Sequence, residues 1–351
     1  MKIAFTAGKV IGDSLFYSDN NCNALMKYDL YSDTVVFLRC FPNDNNVSFL
    51  HKECIQYNGK LIFTPNMSEC ISIYNPDNND IECIHLRRYN DSRFCFSGGF
   101  IKGRFLYIIP GNMSQSLIRC DVETFETEEL FSFGKKLNLD QTNEETFWKT
   151  CLYKNLIVFP KLGTNSIYTY DISTGEVRVI NSKIEKLDSA YCYDGTVWIS
   201  TSDGRLYTWN PDDDCVEEKQ INSNNKSCAY IVSWNGRPYL IPNYGKEILI
   251  YDNNQFHNDR ELVINNCELD VRGIHFESFD IWRNNIILYP RNGGNIVVID
   301  MKKIYEKNAT IKFDDSYKRN YLCVLQEKAQ NGPIKENNPY SLRDFIDGLN
   351  V

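Results

Sequence analysis

Seven times along this chain of 351 residues, a short alternating strand closes on an aromatic or apolar residue followed at once by Asp or Asn. The copies are Leu25-Met26-Lys27-Tyr28-Asp29, Ile71-Ser72-Ile73-Tyr74-Asn75, Leu117-Ile118-Arg119-Cys120-Asp121, Ile167-Tyr168-Thr169-Tyr170-Asp171, Leu206-Tyr207-Thr208-Trp209-Asn210, Ile248-Leu249-Ile250-Tyr251-Asp252 and Ile296-Val297-Val298-Ile299-Asp300. The acid or amide thus falls at 29, 75, 121, 171, 210, 252 and 300, with gaps of 46, 46, 50, 39, 42 and 48. Alternation sends successive side chains to opposite faces of a sheet. The Asp or Asn then bonds its own backbone and opens a turn, as in Asp171-Ile172-Ser173-Thr174-Gly175. A further strand follows, at 35–38, 81–86 or 177–180.

Upstream of each copy lies a second regular element, an apolar strand that runs into Pro or another loop former. Examples are Leu61-Ile62-Phe63-Thr64-Pro65, Leu106-Tyr107-Ile108-Ile109-Pro110 and Leu156-Ile157-Val158-Phe159-Pro160. Proline has no amide proton to give a ladder, so it marks the strand's end. Asn58-Gly59, Asp194-Gly195 and Asn235-Gly236 precede these strands and are strong hairpin signals. They predict an inner strand before each one, as at 229–233 and 276–281. Four strands, a to d, repeated every 40–50 residues describe the blade of a propeller. The expectation is therefore an all-β chain: a seven-bladed β-propeller of four-stranded antiparallel blades over residues 1–328, centred near the seven acid or amide positions. A β-sandwich with chance spacing does not account for seven copies in step. Residues 321–326 read as one more strand. Residues 329–351 read as a polar loop and a short amphipathic helix, with an apolar stripe of Leu342, Phe345, Ile346 and Leu349.

The unit broadly resembles WD-repeat and kelch-like propellers in period and strand pattern. It departs from both in motif: no blade carries a Gly-His and Trp-Asp pair, and Gly98-Gly99 is the one double glycine in a kelch-like place. The resemblance implies a fold and transfers no functional residue.

Composition narrows the function classes. The net charge of −8 disfavours non-specific binding to a phosphate backbone. No run of about 18 apolar residues predicts a membrane helix, and the N-terminal residues do not read as a signal peptide. Thirteen cysteines, an odd number without a C-x-x-C pair, sit mostly in apolar segments. Such thiols suit a reducing compartment and argue against a zinc site. A cytoplasmic location, with no nucleic acid, no membrane insertion and no cofactor, is the expectation. The six N-x-S/T sequons, starting at Asn46, Asn66, Asn90, Asn112, Asn225 and Asn308, read as products of an Asn-rich chain.

No catalytic signature stands out. Of the four histidines, His51, His85, His257 and His275, no two share a metal-ligand spacing. His275, close to Arg272, enters an inner strand and is a candidate general base. Asp212-Asp213-Asp214 and Asp77-Asn78-Asn79-Asp80 read as c–d turns rather than calcium loops. Loop length is the better guide. The d–a loops, about 41–48, 87–93, 134–145, 265–273 and 314–320, are long, whereas the c–d turns only reverse the chain. Long loops on a rigid scaffold usually carry function. The b–c loops on the same face add Asn66, Asn112, Lys161, Asp203, Asn243 and Arg291, and Trp148, Arg272 and His275 should lie near the mouth. These nine are the candidate ligand-binding residues. The leading expectation is a binding or scaffold propeller that recruits a protein partner or a polar ligand, a glycan or peptide, at the long-loop face. The alternative is a propeller lyase or hydrolase acting on a glycan or peptide there.

Overall fold

The computed structural model describes residues 5–20, 22–42, 49–86, 96–139, 146–222, 228–234, 236–242, 247–252, 255–263, 276–290, 296–300, 304–307 and 310–312. In chain order the strands are β1 (Phe5–Ile11), β2 (Ser14–Asp19), β3 (Leu25–Asp29), β4 (Thr34–Arg39), β5 (His51–Tyr57), β6 (Lys60–Pro65), β7 (Cys70–Asn75), β8 (Asp80–His85), β9 (Phe96–Lys102), β10 (Phe105–Pro110), β11 (Ser116–Asp121) and β12 (Thr127–Ser132). After helix α1 (Phe133–Leu137) come β13 (Cys151–Tyr153), β14 (Leu156–Pro160), β15 (Ser166–Asp171), β16 (Val177–Asn181), β17 (Leu187–Tyr193), β18 (Thr196–Thr201), β19 (Leu206–Asn210) and β20 (Cys215–Asn222). The last are β21 (Cys228–Trp234), β22 (Arg237–Pro242), β23 (Glu247–Asp252), β24 (Gln255–Val263), β25 (Phe276–Trp282), β26 (Asn285–Pro290), β27 (Ile296–Ile299), β28 (Ile304–Lys307) and β29 (Thr310–Lys312). Among the described residues the fold is all-β with almost no helix. Its four-stranded antiparallel meanders are arranged as in a β-propeller.

Five blades stand as separate sheets: β1–β4, extended by β29, then β5–β8, β9–β12, β13–β16 and β25–β28. The expected count of seven separate blades is corrected here, because β17–β24 form one eight-stranded sheet. Two antiparallel meanders meet in it through a parallel pairing of β20 with β24, Gln220 to Gln255 through Asn222 to His257. The last three residues of β20 run on to meet the first three of β24; β20 has 8 residues, against 4 to 6 in the outer strands of the five separate blades. Phe256 anchors the junction in a core shared with Trp198, Leu206, Ile231, Leu240 and Leu249.

The chain divides into two compact units, one of residues 1–88, 267–270 and 275–351, the other of 89–266 and 271–274. In each, the cores lie between sheets, and strand alternation builds them. In the first unit, Leu15 and Tyr17 of β2 pack towards Ile287, Tyr289 and Val298, while Phe16 between them packs towards Leu61, Phe63 and Tyr74. In the second, Ile157 and Phe159 of β14 join Phe133, Phe147 and Tyr168, while Val158 joins Val197 and Ile199. A single-residue slip would turn each apolar set onto the wrong neighbour.

The repeated Asp or Asn does what its chemistry predicts. The side-chain oxygens of Asp29, Asn75, Asp121, Asp171 and Asn210 each accept from the backbone amide two residues on, at 2.7–3.1 Å. The last residue of each turn is left-handed: Asp33, Asn79, Phe125, Gly175 and Asp214 have φ of 55 to 72°. In three turns that residue also accepts a hydrogen bond from the aromatic side chain next to last in strand c: from Tyr28 to Asp33 at 2.8 Å, Tyr74 to Asn79 at 3.2 Å and Trp209 to Asp214 at 2.8 Å.

In the first unit the β25–β28 blade is clasped to β1–β4. The Asp280 carboxylate accepts from Lys9 Nζ at 2.9 Å and from the Val10 amide at 2.7 Å. Asp13 accepts from Trp282 Nε1 and from two guanidinium nitrogens of Arg283, at 2.6–2.8 Å, and these bonds hold its carboxyl below the usual range. Lys307 reaches Asp33 at 2.9 Å. β29 then pairs in parallel with β4, Thr310 to Thr34 through Lys312 to Val36. β1–β4 is by itself a four-stranded meander, to which β29 adds a fifth strand. The extra strand described is β29; the one expected at 321–326 and the C-terminal helix lie outside the described residues. The loop expected from 134 begins instead inside α1, whose N-cap Ser132 accepts from the Lys135 amide.

Candidate functional site

The a–b and c–d turns emerge at one end of each meander, and the b–c loops and d–a segments at the other. This second end is a rim knitted by backbone hydrogen bonds. In the second unit, the Thr146 and Phe147 amides donate to Gly111 O at 2.8 and 3.2 Å, and the Leu162 amide donates to Thr146 O at 3.0 Å. The Gly163 amide donates to Leu187 O and the Leu187 amide to Thr164 O, both at 2.8 Å; the Ser202 amide donates to Lys186 O at 2.9 Å. Each segment entering a strand a is thus bonded to the b–c loops on both sides of it. The first unit repeats the device: the Phe49 amide donates to Asn20 O at 3.0 Å, and the Asn66 and Ser68 amides donate to Leu50 O at 2.8 and 2.9 Å. Phe49 and Lys186, at equivalent places, share a left-handed φ of 59 and 56°.

The sequence-predicted residues divide three ways. Asn112 is fully buried, and its amide oxygen accepts from Ser114 N, Ser114 Oγ and Gln115 N at 2.8–3.1 Å, which shapes the b–c turn from within. Asn66 is half-buried at the rim. Trp148 and Lys161 are half-buried and Asp203 is exposed, and the bonds from Thr146 to Leu162 and from Lys186 to Ser202 place their segments on one stretch of rim. Asn243, Arg272, His275 and Arg291 lie outside the described residues.

Around Asp203 the rim is polar and ordered. Its carboxylate accepts from Thr201 Oγ1 at 2.6 Å, from Arg205 Nε and Nη2 at 3.3 and 3.2 Å, and lies 3.5 Å from Lys186 Nζ. The Thr201 hydroxyl, then the Arg205 guanidinium, hold its pKa down at about 2. Arg205 also donates to Tyr207 Oη at 2.8 Å. Lys149, Lys183, Lys186 and Arg205 belong to this stretch and were not among the sequence candidates. Each is an isolated cation in a short connection, and only knowledge of which loops adjoin groups them.

His51 lies just inside the rim of the first unit. It is buried between the Phe41 and Phe63 rings, with centroids at 4.3 and 5.5 Å. Its Nδ1 is 2.9 Å from Ser18 Oγ and its Nε2 3.3 Å from Ser72 Oγ, while Thr6 Oγ1 donates to its carbonyl at 2.8 Å. Burial pushes the imidazole pKa down to about 3, so it is a neutral bridge between β2, β5 and β7. Among the described residues no group of three or more His, Cys, Asp or Glu side chains is arranged to hold a metal ion. Nine cysteines, Cys22, Cys40, Cys54, Cys70, Cys83, Cys120, Cys151, Cys192 and Cys215, are in no disulfide. No helix among the described residues is long and apolar enough to cross a membrane.

On the turn side of the second unit, a cleft of about 290 Å³ opens between β13–β16 and the c–d turn of β19 and β20. Its ionic side chains are engaged with one another. Lys154 Nζ and Tyr153 Oη donate to Asp212 at 2.5 and 2.9 Å, and Arg178 pairs with Glu176 at 2.7 Å.

No known protein family matches the chain, and no curated protein is similar to it. Solved structures share its fold at low identity. The computationally designed protein Ika8 is 10% identical with a TM-score of 0.54, over 87% of this chain and 97% of that one. The extracellular domain of the hybrid two component system BT3049 from B. thetaiotaomicron is 13% identical with a TM-score of 0.58, over 85% of this chain and 39% of that one. PorZ, a bacterial surface component of the type-IX secretion system of Porphyromonas gingivalis, is 10% identical with a TM-score of 0.57, over 90% and 39%. The chain thus spans about two fifths of the length of the two natural proteins. At these identities the likeness concerns the β-propeller-like fold alone.

Proposed function

We propose that this protein is a binding or scaffold propeller that seats a protein partner or a polar ligand on the b–c and d–a rim. The observation that carries this reading is the backbone belt running from Gly111 through Thr146, Leu162 and Leu187 to Ser202. It satisfies the loops' own polar groups, and so fixes the platform from which Trp148, Lys161 and Asp203 project. A platform ordered before binding spares the complex part of the entropy of fixing loops. We also read the eight-stranded sheet as two blades joined at their outer strands, which gives seven four-stranded meanders of the general WD-repeat or kelch type. The free thiols favour a reducing compartment. The test is a pair of variants. Trp148→Ala with Lys161→Ala should weaken capture of a ligand or partner while the protein stays folded at the assay temperature, truncation of the half-buried Trp148 lowering the melting temperature only in part. Thr174→Ala with Asp213→Ala, on the opposite face, should leave capture intact. The reverse pattern would assign function to the wrong face.

A further inference from the structure

From the distribution of charge on that rim we infer that its β13–β20 stretch binds an acidic peptide segment in extended form. This rests on the rim being the binding face. The chain as a whole carries 46 acidic and 38 basic side chains, yet its charges are sorted between the two ends of these meanders. The rim connections, residues 133–150, 161–165, 182–189 and 201–205, hold Lys135, Lys136, Lys149, Lys161, Lys183, Lys186 and Arg205 against Asp140, Glu144, Glu145, Glu185, Asp188 and Asp203, a near balance. The turns at the other end hold Asp171, Glu176, Asp194, Asp212, Asp213 and Asp214 against Lys154. An acidic chain is repelled by the turn end far more than by the rim.

Two of these rim carboxylates, Asp203 and Asp188, are engaged in positioning. Asp203 orients the Arg205 guanidinium and lies against Lys186, and Asp188 accepts from Ser189 Oγ at 2.8 Å. The left-handed residue before strand a belongs to the repeat, since Phe49 shares it. At the entry to β17 that residue is Lys186, which projects into solvent. Trp148, half-buried and next to Lys149 in sequence, adds an aromatic side chain to this stretch, a residue type that anchors peptides well. A peptide fits better than a nucleic acid. A phosphate backbone presents regularly spaced charge to a continuous basic track, whereas this stretch is short and interrupted by acids.

The experiment uses the full chain and three fluorescent probes read by anisotropy: a glutamate-rich 12-residue peptide, an uncharged Ser/Tyr/Gly peptide of the same length, and a 12-nucleotide single-stranded DNA. The glutamate-rich peptide should bind, weaken severalfold between about 50 and 300 mM salt, and weaken about tenfold in Lys161→Glu with Lys186→Glu. Lys154→Glu, on the far face, should change nothing. Unchanged melting temperatures exclude misfolding, and Lys161→Gln with Lys186→Gln should give an intermediate loss. If the uncharged peptide binds in a Trp148-dependent way and the acidic one does not, the charge inference falls while the rim reading survives. If no probe depends on Trp148 or on the two lysines, both fall. Tighter binding of the DNA than of the peptide overturns the choice of peptide.

Discussion

His51 makes the stability of this protein depend on pH in a way that can be calculated. Its side chain is 1% exposed, and its imidazole pKa falls from 6.5 to about 3 because burial penalises the charged ring. A base with a depressed folded pKa costs nothing above its unfolded pKa. As the pH falls below 6.5 the unfolded chain takes up a proton that the folded chain refuses. Stability is then lost at about 1.4 kcal/mol per pH unit, until the folded pKa near 3 is reached. At pH 5 the loss from this one residue is about 2 kcal/mol. His51→Gln removes the titration and keeps a polar group near Ser18 and Ser72. At pH 7.5 the variant should be less stable by about 1–3 kcal/mol, since it gives up ring packing between Phe41 and Phe63. By pH 5 the gap should shrink by about 2 kcal/mol. The assay is urea unfolding of both proteins at pH 7.5, 6.5, 5.5 and 5.0. Carboxylates elsewhere titrate alike in the two proteins and cancel in the difference. Parallel acid limbs would refute the reasoning, for they would mean that His51 is protonated in the folded state or solvated at the seam.

Four further outcomes follow from the same coordinates. Phe125 occupies with φ 63° the turn position held elsewhere by Asp33, Asn79, Gly175 and Asp214, so Phe125→Asn should raise stability by about 0.5–1 kcal/mol in urea unfolding. Asp280→Ala strips Lys9 and the Val10 amide of a buried acceptor; because Lys9 is partly exposed, the expected loss is about 1–3 kcal/mol, and Asp280→Asn should restore part of it. Ile311→Pro removes an amide from the parallel β29–β4 ladder and should speed hydrogen exchange across 34–36, read by mass spectrometry, with little effect on β13–β16. Alkylation of the native protein followed by peptide mapping should find Cys215 modified before Cys192, whose thiol pKa burial raises; the buried Cys22, Cys70, Cys120 and Cys151 should react only on unfolding.

The blades were legible because their signals are local. An Asp that caps its own turn two residues on needs no distant partner, and five copies show the predicted bond. Inner-strand alternation was equally readable, since each face meets an apolar neighbour. The β20–β24 junction was not. It depends on the end of one outer strand, Cys215–Asn222, meeting the start of another, Gln255–Val263, and outer strands carry weak apolar patterning. β29 escaped notice because three residues, Thr310–Lys312, hold no period. At the rim, b–c loop positions such as Lys161 and Asp203 follow from strand boundaries. Asn112 shows what polarity alone cannot reveal, namely whether an amide faces solvent or folds back on Ser114 and Gln115. Lys186 and Arg205 needed the contacts between loops that are distant in sequence.

The two ends of a meander meet the same requirement by different means, and this bears on which end is open to a partner. Every turn or loop must satisfy its backbone amides and carbonyls. At the c–d end, side chains do that work: Asp29, Asn75, Asp121, Asp171 and Asn210 accept from their own turns, and Asp33, Asn79 and Asp214 accept from aromatic side chains. Polar side chains so employed are committed to the fold, and substituting them costs stability before it touches any partner. At the b–c end, backbone bonds backbone, from Gly111 to Ser202. Asn112, Ser182 and Thr201 also cap backbone amides there, but the remaining side chains can vary without loosening the scaffold, and a surface whose chemistry varies on a fixed frame is the better place to hold recognition.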